Sequence, residues 1–234
     1  YSNINKNISG LFEASIPDQN IKGSILISNQ IITIRSKLVF DMAEIINFEE
    51  YFKLEGLEEF NGILTVNDDL VSLELDSNLS NTKITSIIDD LEKESTQELK
   101  TTISIKDLSN PTYFIYNENF KSYIGTKDNG YFSLGNQYDQ QIESRDFKDG
   151  FHLFLSLQKL DISNLSLNNE INRVSNLRSI NLHIKELNFF ENRYKNQMFE
   201  VDFKNNNINA VFSGKDLNGL ITTDQTGFIR IEVF

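Results

Sequence analysis

One stretch of the sequence decides the fold: SINLHIKELNFFENRYKNQMFEVDFKNNNINAVFSGKDLNGLITTD, residues 179–224. Apolar and polar residues alternate in it, with Ile180, Leu182 and Ile184 against Asn181 and His183. Successive side chains of a strand point to opposite faces, so this alternation predicts strands that each have one apolar face. No residue type typical of catalysis interrupts the pattern.

The same alternation recurs in three other stretches: IKGSILISNQIITIRSKLVF (21–40), GILTVNDDLVSLELDS (62–77) and FHLFLSLQKLD (151–161). Asn29-Gln30 and Asn67-Asp68-Asp69 lie where hairpin turns are expected in the first two stretches. There is no strand–helix–strand rhythm along the chain, which favours antiparallel neighbours.

Two segments have apolar residues at helical spacing. Residues 41–56 contain Ile45, Phe48 and Phe52 in that pattern, and Gly56 is placed as a helix stop. Residues 85–95 predict one short helical turn. We therefore expect a mostly β chain, an elongated, curved antiparallel sheet with one or two short helices.

A weak internal repeat divides the chain. VNDDLVSLELDSNLSNTKIT (66–85) aligns with FKNNNINAVFSGKDLNGLIT (203–222), which places Val71 over Ile208 and Leu75 over Phe212. The offset is constant, since 208−71 and 212−75 both give 137. A supersecondary unit that is used twice is typical of stacked β architectures. We expect two units, 1–110 and 148–234, joined by a connecting segment, 111–147.

Composition excludes several classes of function. The net charge of −12 over 234 residues argues against a nucleic-acid-binding protein, because such proteins need clustered Lys and Arg. The chain has no Cys, which rules out a disulfide framework or a thiolate site. Tyr1 is not Met, no signal peptide follows it, and the closing GFIRIEVF reads as a strand cut short. We expect an internal piece of a longer protein.

The sequence contains no recognisable catalytic or metal-binding constellation. His152 and His183 are the only histidines, and each lies on the polar phase of a strand without ligand-spaced partners nearby in sequence, which favours structural roles. Asp68-Asp69 and Asp89-Asp90 are paired carboxylates, but in turns such residues commonly face solvent. No Gly-x-Ser-x-Gly motif or phosphate-binding loop is present. We predict no enzymatic activity, no cofactor and no metal.

The pattern and order of strands resemble those of the AsmA-like family, in particular its YhdP branch. The likeness is carried by LRSINLHIKELNFF with MFEVDFK and NINAVFSG, by the upstream GFHLFLSLQKLDISNL, and by LELDSNLSNTKITSIIDDLEKES with LKTTISI. It spans roughly residues 60–234. Many members have a Pro-x-Pro-Leu-x-Lys crossover; here Ile88–Lys93 keeps Leu91 and Lys93 without the prolines.

The resemblance implies a taco-like β-groove in the periplasmic part of an inner-membrane-anchored protein of a diderm bacterium. It further implies a part in phospholipid transport between the inner and outer membrane, with both membranes contacted through regions outside this chain. Under this hypothesis phospholipid acyl chains are the partners. The groove would be lined by alternate residues of the strands, namely Leu73, Leu75, Leu153, Leu155, Leu182, Ile184, Val201, Phe203, Ala210 and Phe212.

Three other interpretations stay open at this point. An apolar strand face commonly packs against another sheet, so the main alternative is a closed β-sandwich or jelly-roll module for binding or adhesion in the cell envelope. A β-solenoid stalk would require stricter short repeats than the sequence has. An enzyme would require two carboxylates that face each other across a cleft.

Overall fold

The computed structural model describes residues 7–16, 19–45, 47–48, 52–86, 88–126, 129–143, 147, 149–161, 176–189, 191–204, 207–223 and 229–234. Within these ranges the chain forms one large, mostly antiparallel sheet of 15 strands that is not closed, and a second sheet of three strands. Two short helices accompany them. The prediction of a mostly β, mostly antiparallel chain with one or two short helices is confirmed.

The chain divides into two compact units, Tyr1–Glu118 and Asn119–Phe234. In chain order, unit 1 contains β1 (Ile8–Ile16), β2 (Gln19–Ser28), β3 (Ile31–Asp41), α1 (Met42–Ile45), β4 (Asn47–Phe48), β5 (Phe52–Glu55), β6 (Leu57–Asn67), β7 (Leu70–Ser77), β8 (Lys83–Ser86), a 3-10 turn (Asp89–Leu91), β9 (Thr101–Ile105) and β10 (Tyr113–Tyr116). Strands β1, β2, β3, β6, β7, β9 and β10 are successive neighbours in the large sheet, and β4, β5 and β8 form the small one.

Both predicted hairpin turns of unit 1 are present. Asn29 and Gln30 have positive φ angles, 51° and 69°, and link β2 to β3 through the register pair of Ser28 with Ile31. Such a two-residue turn matches the right-handed twist of the strands that it joins. Asp68, with a φ of 51°, and Asp69 connect β6 to β7 in the same way. The 3-10 turn confirms the short turn expected in 85–95.

The helix predicted over residues 41–56 is wrong for most of its length. Helix α1 ends at Ile45, and β5 pairs with β8 instead of continuing a helix. Gly56 is therefore not a helix stop. Its φ is +120°, and a Cβ atom there would lie 2.1 Å from the carbonyl oxygen of Asn81. A close backbone contact, which only glycine allows, explains this residue.

Unit 2 contains β11 (Phe120–Ile124), β12 (Gly130–Leu134), α2 (Asp139–Glu143), β13 (Phe151–Asp161), β14 (Leu177–Phe189), β15 (Asn192–Lys204), β16 (Asn207–Ser213), β17 (Gly219–Thr223) and β18 (Ile229–Val233). These eight strands are successive neighbours in the large sheet, in chain order. Strand β13 runs parallel to both β12 and β14, so the expectation of antiparallel neighbours fails there. Parallel neighbours need a crossover connection, and helix α2 lies within the one between β12 and β13. Residues 111–147, expected to be a connecting segment, hold β10, β11, β12 and α2.

Candidate functional site: the apolar sheet faces

Unit 2 has a continuous apolar sheet face, because residues paired across neighbouring strands point to the same side. One row across β13–β18 consists of Leu153, Ile180, Val201, Ala210, Ile221 and Ile231. The next row consists of Leu155, Leu182, Phe199, Phe212, Gly219 and Val233. These two rows, with the adjoining Ile184 and Phe203, are called the unit-2 apolar face. It contains every predicted groove-lining residue except Leu73 and Leu75.

Many side chains of the unit-2 apolar face are partly accessible to solvent. Leu155, Leu182 and Val201 are only partly buried, and the exposed fraction reaches 62% at Ile231 on the last strand. Three of its predicted lining residues are buried: Ile184 is 1% exposed, Phe212 6% and Ala210 8%. Water-accessible leucine and valine side chains in adjoining rows form an apolar surface on which another apolar molecule could pack.

The buried aromatic cluster of unit 2 lies on the reverse face. Phe154 alternates with Leu153 and Leu155 along β13, is 1% exposed, and packs with Tyr138, Ile142 and Phe147 in and around helix α2. Burial raises the pKa of Tyr138 to about 12. The alternation thus predicted the faces of β13 correctly but did not show which of them helix α2 covers.

The reverse face of β14–β16 is mostly polar. Ser179, Asp202 and Asn209 form one row of that face, and Asn181 pairs with Glu200 in the next. The two faces of the same three strands therefore differ sharply in polarity. Such asymmetry is typical of antiparallel sheets in which one face is removed from water and the other is solvated.

One polar side chain lies at the edge of the unit-2 apolar face, beside the adjoining Ile184. Gln197 pairs with Ile184, is 0% exposed, and donates from Nε2 to the Lys195 carbonyl oxygen at 3.2 Å. Its Oε1 has no hydrogen-bond partner among the residues that the structure describes. The amide lies against Gly214, where a Cβ atom would come within 2.1 Å of Nε2. Glycine at 214 thus makes room for the Gln197 side chain.

Unit 1 has a corresponding apolar face. One row across five of its strands consists of Ile25, Ile34, Leu64, Leu73 and Ile105, all of them partly buried. The next row includes Leu75 and Ile103. Leu73 and Leu75, both predicted to line the groove, therefore lie on the same face of unit 1. The other eight predicted groove-lining residues belong to unit 2.

One end of the unit-1 apolar face is covered by protein. Leu75 is 8% exposed and belongs to a core cluster with Phe60, with Met42 of α1, Leu54 of β5 and Ile84 of β8. Leu38, Leu73 and Ile103 pack against this cluster. The small sheet and α1 thus form a second layer over this end, called the cap.

A buried polar network fixes the chain that leads into the cap. Glu58 is 2% exposed and accepts hydrogen bonds from the Ser77 hydroxyl at 2.6 Å, the Asn81 N–H at 2.9 Å and the Thr82 hydroxyl at 3.1 Å. Lys93, which is 6% exposed, donates to the carbonyl oxygens of Leu79 and Thr82, both at 2.6 Å. Burial lowers the pKa of Lys93, and the nearby charge of Glu58 partly offsets this effect. No periodic pattern marks Glu58, so sequence analysis missed the network.

His152 contacts one residue close to it in sequence and one residue on the next strand. Its ring is 0% exposed; Nδ1 lies 2.8 Å from the Ser179 hydroxyl and Nε2 lies 3.1 Å from an Asp149 carboxylate oxygen. Serine, histidine and aspartate together are the residue types of a nucleophilic triad. Ser179 is only 3% exposed, however, so a substrate has no direct path to its oxygen. The contacts tie β13 to β14 and to the turn before β13.

His183 lies on the reverse face of β14, where its cross-strand partner is Met198 of β15. Burial lowers its pKa, and the charge of Lys185 lowers it further. Its Nδ1 is buried and has no hydrogen-bond partner in the described part of the chain. The ring therefore favours the neutral state, since neither a carboxylate nor solvent reaches that nitrogen to stabilise a charge.

No group of three or more His, Asp or Glu side chains is placed to hold a metal ion within the ranges that the structure describes. No helix in those ranges is long and apolar enough to cross a membrane. In comparisons with known proteins, no family model, curated protein or solved structure matches this chain.

Proposed function

We propose that this chain is a non-enzymatic lipid-binding segment in which the unit-2 apolar face holds phospholipid acyl chains. The observation that carries the proposal is the continuity of this face, whose rows cross six strands without a charged residue. Its members Leu155, Leu182 and Val201 are partly accessible. An acyl chain that lies along such a row removes apolar surface from water on both sides of the contact.

Magnitudes support an acyl chain as the occupant. Exposing an acyl chain of roughly 16 carbons to water costs on the order of 12 kcal/mol of free energy, at about 0.8 kcal/mol per CH₂. Six strands at a spacing of about 4.8 Å give a row about 24 Å long. One leaflet of a bilayer has a hydrocarbon depth of about 15 Å, so the row accommodates a chain of membrane length. Nonspecific apolar contacts also allow the lipid to slide, because no polar group fixes it at one point.

The cellular role follows from the resemblance to AsmA-like proteins of the YhdP branch. We propose that the chain is the periplasmic part of an inner-membrane-anchored protein that takes part in moving phospholipid between the inner and outer membrane. The membrane contacts would lie in regions outside this chain. The large open sheet and its apolar faces are compatible with this role.

Site-specific photo-crosslinking tests the lipid-binding proposal. A photoreactive residue at Leu182 or Val201 would face the acyl chain, whereas the same residue at Glu200, exposed on the reverse face, is a matched control. We expect lipid adducts at the first two positions and few at the third when the protein is expressed in a diderm bacterium. Equal labelling at all three positions, or none at any, would contradict the proposal.

The cap in unit 1 favours a second candidate for that unit alone. There the apolar face is sealed over Leu75, as in a sandwich-type binding module. A cell-envelope binding or adhesion module would extend such closure over its whole apolar face. Crosslinking at Leu64, which is partly buried on the same face, tests this, because lipid adducts at Leu64 would argue against a closed module.

A further inference from the structure

The reverse face of unit 1 contains an open hollow of about 790 Å³ over strands β1, β2, β3 and β6. Its floor is the backbone of one register row, Phe12, Gly23, Ser36 and Gly62. The side chains of the two flanking rows form its walls: Leu11, Ser24, Arg35 and Ile63 on one side, and Glu13, Lys22, Lys37 and Asn61 on the other. We call this feature the basic hollow.

The basic hollow lies on the side of the sheet away from the unit-1 apolar face. Its wall residue Arg35 directly follows Ile34, and Ile63 directly precedes Leu64; both of these neighbours belong to the apolar row. Adjacent residues of a strand point to opposite faces. The hollow is therefore a surface feature separate from the acyl-chain face that the proposed function uses.

Three cationic side chains converge on the basic hollow. Lys22 and Lys37 directly adjoin the register pair of Gly23 with Ser36, and Arg35 is two residues from Lys37 on the same face. This cluster occurs in a chain whose net charge is −12. A local concentration of cations on an acidic protein indicates selection for an anionic partner, since the overall charge would repel one.

The carboxylates near the basic hollow neutralise its charge only in part. Lys22 Nζ lies 3.2 Å from Glu13 and Lys37 Nζ lies 2.7 Å from Glu59, but all four side chains are about half exposed or more. Exposed ion pairs are weak and exchange readily with another anion. Arg35 has Ser24 and Ile63 as its cross-strand neighbours, and neither carries a charge.

An apolar side chain stands beside these cations. Leu11 forms part of the wall and is 90% exposed, so its side chain is free to contact a second apolar phase. Its cross-strand neighbour is Ser24, which leaves the leucine without an apolar partner there. A cationic cluster with a projecting leucine matches the chemistry of a membrane interface, where phosphate groups lie above acyl chains.

We propose that the basic hollow binds the phosphate group of an anionic lipid at a membrane surface, with Leu11 in contact with the acyl region. Arg35 donates paired N–H groups to two phosphate oxygens, and Lys22 and Lys37 add positive charge on either side. Leu11 distinguishes the lipid from free phosphate, because an inorganic anion gains nothing from an apolar neighbour. The proposal does not depend on the acyl-chain face of unit 2.

Vesicle co-sedimentation of the 234-residue chain tests this proposal. The vesicles contain either phosphatidylcholine alone or phosphatidylcholine with phosphatidylglycerol, and we expect binding to the anionic vesicles only. The triple variant Lys22→Gln, Arg35→Gln, Lys37→Gln should bind them about 100-fold more weakly, and Leu11→Ser several-fold more weakly. High salt should release the wild-type chain, since exposed charges are screened.

A second triple variant separates the site from net charge. Lys53→Gln, Lys83→Gln, Lys100→Gln removes three exposed cations of the same unit outside the hollow and reaches the same net charge, −12 − 3 = −15. It should bind within about threefold of wild type. Circular dichroism confirms that each variant is folded. Equal loss in the two triple variants, or no loss in the first, would overturn the proposal.

Inorganic phosphate provides the last arm of the experiment. If millimolar phosphate displaces the chain from anionic vesicles and Leu11→Ser has no effect, the hollow is a site for the free anion and the lipid proposal is wrong. If vesicle binding persists in phosphate and depends on Leu11, the lipid is the source of the bound phosphate group.

Discussion

The hairpins β6–β7 of unit 1 and β15–β16 of unit 2 have the same register but different surroundings. Asn67 pairs with Leu70 and Lys204 pairs with Asn207, so the offset of 137 that aligns the sequences also aligns the hairpins. After β7 the chain leaves the large sheet to build β8 of the cap, whereas β16 leads to its sheet neighbour β17. Two faces with the same alternation thus differ in what covers them.

This comparison shows that the covering of an apolar face is decided by the chain that follows the hairpin. In unit 1 the network of Glu58 and Lys93 holds that chain in place, and Leu75 becomes core. In unit 2 the equivalent residue, Phe212, pairs with Gly219 in the next strand. Both residues are buried, but Leu75 packs beneath the cap, whereas Phe212 packs within its own sheet face, stacked on Phe199.

The largest expected effect comes from the core beneath the cap. Phe60→Ala should lower the free energy of unfolding by about 3–5 kcal/mol, because Phe60 is 1% exposed and its removal leaves a cavity among packed side chains. Urea denaturation of the chain measures this. A loss below about 1 kcal/mol would mean that the cap does not seal this end of the face.

The polar network beneath the cap gives the next largest effect. Lys93→Met should cost about 3 kcal/mol, since it removes charged hydrogen bonds to two buried carbonyl groups and leaves the Glu58 carboxylate without a nearby cation. Lys83→Met, at an exposed position of β8, is the matched control and should change stability little. If both variants are equally stable, the network does not hold the cap.

The unit-2 apolar face should respond more weakly than the capped core. Leu182→Ala is expected to cost about 1–2 kcal/mol in the absence of lipid, because the side chain already keeps part of its surface accessible. The same urea experiment allows direct comparison with Phe60→Ala. A cost equal to that of Phe60→Ala would show that Leu182 is sealed in a core, and the contrast between the units would disappear.

Gln197 offers a substitution with the opposite sign. Gln197→Leu should raise the free energy of unfolding by about 1 kcal/mol, since it removes a buried amide oxygen that lacks a hydrogen-bond partner and extends the apolar face. Gly214→Ala is the companion variant and should destabilise, because its Cβ atom displaces the Gln197 amide. Destabilisation by Gln197→Leu would mean that the amide makes a favourable contact.

The smallest expected effect is the pH dependence of unit 2 that arises from His183. Burial lowers the pKa of His183 in the folded chain below its ordinary value of 6.5. Between the folded and unfolded pKa values the unfolded chain binds more protons, so stability rises with pH in this window and is lost as the pH falls through it. His183→Gln should flatten the profile just below pH 6.5. An unchanged profile would assign the dependence to another group.

The sequence predicted the local features of this molecule better than its long-range ones. Alternation placed Leu182, Val201 and Ala210 on one face, because side-chain direction in a strand depends only on position along the chain. It could not predict that 41–56 would contain cap strands, since the pairing of β5 with β8 depends on residues about 30 positions away. The contact of His152 with Ser179 escaped for the same reason, as Ser179 is 27 residues distant.

Native mass spectrometry of the chain purified from a diderm host tests the central claim most directly. We expect phospholipid adducts on the wild-type chain and on Glu200→Gln, which alters the reverse face, and their loss from the double variant Leu182→Asp, Val201→Asp, which places charges on the unit-2 apolar face. Circular dichroism must show that the double variant is folded. A wild-type chain without lipid, or a folded double variant that retains it, would contradict the account.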